Sequence, residues 1–125
     1  MEAAPHVDDS RVPRYNPKRL QQIGMADGTE RLSDFAVKNH MKRLEPKFNK
    51  CIERAALSTD ETIRGTVAFT IGVEPTGKVW GVSVKAPAVL KETGVVACVR
   101  VAVHKSRFPQ WDGPAMGVDY EFGVD

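Results

Sequence analysis

Two alternating stretches joined by a proline-glycine turn constrain this chain more than any other feature. Gly65-Thr66-Val67-Ala68-Phe69-Thr70-Ile71 alternates large apolar with small or polar residues, the period-two mark of a half-buried strand. Val73-Glu74-Pro75-Thr76-Gly77-Lys78 follows, with proline and glycine placed to reverse the chain. Val79-Trp80-Gly81-Val82-Ser83-Val84-Lys85 then reads as a second strand with Trp80, Val82 and Val84 on one face. The segment is an antiparallel hairpin.

Upstream, Ser33-Asp34 is a helix N-cap signal. Apolar residues recur at Phe35, Val37, Met41, Leu44, Phe48, Cys51, Ile52 and Ala55, in steps of three and four that predict an amphipathic helix. Pro46 predicts a kink, or two helices with Pro46 in the first turn of the second. Leu57 to Arg64 reads as a loop. Downstream of the hairpin, Pro87 stops the strand, and Lys91-Glu92-Thr93-Gly94 leads into a valine-rich run. Val95, Val99, Ala102, Val103 and Ser106 in that run share one helical face. Its basic last turn suits a helix C-terminus. Phe108-Pro109 ends this helix, and Trp111-Asp112-Gly113-Pro114 forms a turn. Met116-Gly117-Val118-Asp119-Tyr120-Glu121-Phe122-Gly123-Val124 alternates again, with Met116, Val118, Tyr120, Phe122 and Val124 on one face.

The order helix, strand, strand, helix, strand predicts an α+β domain over residues 31–125. Its three-stranded antiparallel sheet carries two main helices on one face. Residues 1–30, with Pro5, Pro13, Pro17, Gly24 and Gly28, show no period and read as a flexible arm or linker. Their basic cluster Arg11, Arg14, Lys18 and Arg19 leaves a docking segment as the alternative.

Composition narrows the function. With 18 lysines and arginines against 16 acids, the net charge is +2, far from the basic excess of a nucleic-acid binder. No apolar run approaches the roughly 18–20 residues that span a bilayer, so insertion of this segment into a membrane is not expected. Met1 to His6 lacks the basic and apolar regions of a secretory signal, which by itself suggests a cytosolic protein with reduced thiols.

Catalysis finds little support. Cys98 and His104, six positions apart on one helix, are turned through about 600° relative to each other. Cys51 and His40 share a face but stand some 16 Å apart along the axis. No metal-ligand spacing, phosphate loop or calcium loop is present, and no cofactor is expected. What remains is a surface for proteins. The last strand, Met116 to Val124, has no helix after it and offers an edge to an incoming strand. The residues alone leave two readings of it: a docking edge, or an edge simply guarded by Asp119 and Glu121.

The pattern from Gly65 onward resembles the C-terminal domain of TonB-like energy transducers. The matching features are Gly65-x-Val67-x-Phe69-x-Ile71, Gly77-x-Val79, Phe108-Pro109 and Val118-x-Tyr120-x-Phe122. Cys51-Ile52-Glu53 and Cys98-Val99 are similar to a cysteine pair in gliding-motility envelope proteins of some gram-negative bacteria. The resemblance implies a non-enzymatic periplasmic domain of a protein anchored in the inner membrane, within an envelope complex that transmits force or energy. Its partners would be other envelope proteins or outer-membrane protein peptides, bound by strand addition at Met116 to Val124. Such domains can also form a homodimer by exchanging the last strand. The oxidising periplasm it implies would favour a Cys51–Cys98 disulfide. The reading that competes with it is a cytosolic α+β adaptor with reduced cysteines.

Overall fold

The computed structural model describes residues 7–21 and 30–124. Three strands, β1 (Gly65–Val73), β2 (Val79–Lys85) and β3 (Met116–Val124), form one antiparallel sheet in the order β2-β1-β3. Helices α1 (Asp34–Ala56), α2 (Ala88–Glu92) and α3 (Val95–Lys105) complete the domain. α1 and α3 cover one sheet face, so the expected α+β architecture is the one observed.

Alternation decides which side of each strand meets the helices. Val67, Phe69, Ile71 and Val73 of β1 are buried, and Phe122, Tyr120, Val118 and Met116 of β3 stand directly across from them. The buried stripe of α1 is Val37, His40, Met41, Leu44, Phe48, Cys51 and Ala55, and that of α3 is Val95, Val99 and Val103. At the centre Phe48 stacks on Phe69 with ring centroids 5.4 Å apart and meets Phe122 edge-on at 5.3 Å. Burying an aromatic of this kind contributes about 1.5–3 kcal/mol, which makes this trio the anchor of α1 on the sheet.

Ser33 caps α1 as expected, its Oγ accepting from the Ala36 amide at 3.1 Å. Pro46 does not divide the segment into two helices: α1 is one helix from Asp34 to Ala56. Proline removes one ladder bond on an exposed flank, whereas the buried stripe holds both halves to the same core. Helix α2 was not legible in the sequence. Five residues behind Pro87 are too short to show a period, and the helix is held by its single buried Leu90.

Residues 7–21 of the expected solvated arm depart from that reading. Residues 1–6 and 22–29 of it lie outside the described residues, but residues 7–21 lie on the domain. Val12 is buried, the Val82 amide donates to the Pro13 carbonyl at 2.8 Å, and the Tyr15 amide donates to Ser83 Oγ at 2.9 Å. Arg100 of α3 ties the segment down, donating to the Val12 carbonyl at 2.7 Å and pairing with the Asp9 carboxylate. Backbone bonding, one charged clamp and isolated apolar contacts of Val12 and Tyr15 hold this segment, and none leaves a hydrophobic period.

Candidate edge-docking site

An edge strand is open only if its outward backbone groups have no partner, and β2 fails that test. The Val82 N–H goes to Pro13, and the Val82 carbonyl accepts from Arg100 Nε at 3.0 Å. Val82 therefore directs both groups away from β1. Its opposite number Ile71 turns the other way and bonds to Val118 on β3. Alternation along the strand then pairs Met116, Val118, Tyr120 and Phe122 with β1. The N–H and C=O groups of Gly117, Asp119, Glu121 and Gly123 point off the sheet. Among the described residues nothing accepts from or donates to them. The arm and Arg100 occupy the β2 edge at Val82; β3 is the other edge.

A groove of about 520 Å³ runs along this open edge. Met116 to Glu121 form one wall, and Arg31, Leu32, Asp34, Val37 and Lys38, at the start of α1, form the other. The α1 wall is fixed locally: the Leu32 amide donates to Met116 Sδ at 3.2 Å, and the Tyr120 hydroxyl donates to Glu45 at 3.0 Å. Burial, with the neighbouring Glu45 carboxylate second, holds the Tyr120 phenol above its ordinary pKa, so at neutral pH it is a donor. Both Val37 and Val118 are buried beneath the groove floor. All nine residues expected to form a docking strand do form the edge strand of the sheet.

The opposite sheet face shows how the arm reaches across. Gly81, Gly72 and Gly117 stand in one row over the three strands, in register. A Cβ on Gly72 would come within 2.2 Å of the Trp80 ring. One on Gly117 would meet the Tyr15 hydroxyl at 2.3 Å, and one on Gly81 the Arg14 carbonyl at 2.8 Å. The glycines make a trough for a stack in which Tyr15 lies on Trp80, centroids 5.3 Å apart, with Arg19 5.8 Å over the indole. A one-residue bulge in the β1–β2 pairing accommodates Trp80. Sequence reading missed this row, because glycines in three separate strands become neighbours only once the register is known.

Cys51 and Cys98 are joined in a disulfide, Cα atoms 5.7 Å apart, linking α1 to α3. A bridge of this kind suggests a non-reducing compartment such as the periplasm. The histidines considered as bases sit elsewhere. His40 stacks on Phe108, centroids 3.8 Å apart, and its Nε2 lies 2.9 Å from Ser106 Oγ. The Ser106 hydroxyl donates to the Val103 carbonyl, so Nε2 carries the proton and donates to Ser106 Oγ. Burial first, and Arg43 second, hold the His40 pKa below its ordinary value. Among the described residues no three metal-capable side chains converge, and no helix is long and apolar enough to cross a membrane. No family model, curated protein or solved structure matches the chain.

Proposed function

We propose that this domain is a non-enzymatic docking module that captures an extended segment of another envelope protein by adding it to β3. The carrying observation is the asymmetry of the sheet. One edge is occupied at Val82 by the chain's own arm and Arg100, while the other leaves four residues of outward backbone groups beside a groove. Main-chain hydrogen bonds supply affinity in such additions, and alternate side-chain positions supply selectivity. The disulfide supports the periplasm as the compartment. The resemblance to TonB-like C-terminal domains supports a role in a force- or energy-transducing complex, gliding motility among them, in a protein whose membrane anchor lies outside this segment.

Proline at an outward position tests the reading. Glu121→Pro removes one outward N–H and no β1–β3 bond, because edge strands tolerate proline where the amide faces solvent. A photo-crosslinker at Asp119, in the cells that make the protein, should give a discrete adduct that Glu121→Pro abolishes while the fold is retained. An adduct indifferent to Glu121→Pro would refute strand addition.

A further inference from the structure

The side chains beside the open edge say what kind of segment fits it. Asp119 and Glu121 lie on the face away from the helices, two positions apart, flanking Tyr120 on the opposite face. Their neighbours on β1 are Thr70 and Ala68. Thr70 donates a hydrogen bond to Asp119 at 3.1 Å, and Ala68 offers Glu121 no polar group. On that face Lys85 of β2 pairs with Ala68 and so stands two strands from Glu121, roughly 10 Å at the spacing of a sheet. The arm's short turn Pro17–Gln21, with Lys18 and Arg19, packs against β3, and Arg19 lies over Trp80. Neither acid forms an ion pair among the described residues. Arg31 and Lys38 belong to the groove wall on the helix side. With neither acid ion-paired, among the described residues, to the arm's arginines and lysines or to β1, the cross-strand positions beside both carboxylates on the edge side are those of a fourth strand.

From this we infer that the occupant of the β3 edge is an extended segment of basic–apolar–basic pattern. The inference rests on the strand-addition reading above. Whichever direction the segment runs, its residues opposite Asp119 and Glu121 share the outer face, and the residue between them falls on the helix face beside the Tyr120 ring. Opposite charges directly across a strand pair stabilise it, and like charges oppose it. A second copy of β3 fits poorly. Antiparallel pairing centred on Tyr120 would set Asp119 against Glu121 of the other copy twice over, gathering four carboxylates on one patch.

Two nine-residue synthetic peptides test this, identical but for a Lys-Val-Lys or a Glu-Val-Glu core in Ser/Thr flanks. Both are titrated into the disulfide-bonded chain and followed by the amide NMR signals of Gly117, Asp119, Glu121 and Gly123. The lysine peptide should bind about tenfold more tightly at low salt, from two cross-strand pairs, and the preference should shrink at high salt. Asp119→Lys with Glu121→Lys should invert the order; Asp119→Asn with Glu121→Gln should erase it, and serves if the first pair misfolds. Equal binding of both peptides at β3 would overturn the charge pattern and leave strand addition standing. No shift at β3 with either peptide would overturn both.

Discussion

The Cys51–Cys98 bridge closes a loop of 47 positions between α1 and α3, and removing it should expose the chain-entropy cost of that closure. In the chain-entropy account the loss is about 4 kcal/mol. Spread over a 125-residue chain, that corresponds to a fall in Tm of about 15 °C. Cys51 is buried and Cys98 half-buried, so alanine at both positions removes little volume and leaves no unpaired polar group. Urea unfolding followed by circular dichroism should be run on oxidised protein, reduced protein and Cys51→Ala/Cys98→Ala. The reduced and doubly substituted proteins should lose similar stability. Both should also show a steeper denaturant dependence than the oxidised form, because the uncrosslinked unfolded chain exposes more surface. A loss under about 1 kcal/mol would refute the reasoning, since closing so long a loop then costs almost nothing. It would mean that α1 and α3 stay associated in the unfolded ensemble.

Three further outcomes follow from the same contacts. Arg100→Ala removes the clamp on Asp9, Val12 and Pro13; a loss of about 2 kcal/mol in arm docking should speed tryptic cleavage at Arg11 and Arg14 about thirtyfold. An unchanged cleavage rate would show that Arg100 does not hold the arm. Gly72→Ala places a methyl group against the Trp80 ring and should cost about 1–3 kcal/mol with a red shift in tryptophan emission, while Gly123→Ala, with nothing within 4 Å, should be silent in both measurements. Acidification should destabilise the fold. The pKa of His40, lowered chiefly by burial, and that of His104, lowered by burial and then by Arg100 and Lys78, both lie below the ordinary value of 6.5. The unfolded chain therefore takes up these protons first, and stability present above pH 6.5 is lost as the pH falls toward the folded values. Urea midpoints at pH 7.5 and 5 should show the drop, reduced in His40→Gln.

The legible parts of this molecule were those with a period. The alternation of β1 and β3 and the three-four spacing of α1 and α3 each report burial of one side, and the sheet with its two covering helices follows from that. The expected single face of Trp80, Val82 and Val84 fails at Trp80, which the bulge turns to the other face, and Phe35 of the expected α1 stripe is exposed. The expected limits of β2, α3 and β3 are the ones observed. The parts that escaped have no period to show. The arm over residues 7–21 is held by backbone carbonyls, one arginine and one aromatic stack, residues far apart in the chain. Helix α2 spans little more than a turn. The same limit applies to the site: β3 could be named as a strand, but which edge of the sheet the arm occupies depends on where Pro13 lies, and nothing local to Pro13 encodes that.

Residue-resolved amide exchange along β3 tests the open edge most directly. The geometry predicts an alternating pattern in the free protein: slow exchange at Val118, Tyr120 and Phe122, and fast exchange at Gly117, Asp119, Glu121 and Gly123. Slowing of the fast set should follow when an extended basic–apolar–basic peptide is added. Uniform protection of all seven amides in the free protein, or a fast set that no extended peptide slows, would contradict the claim that β3 is a docking edge.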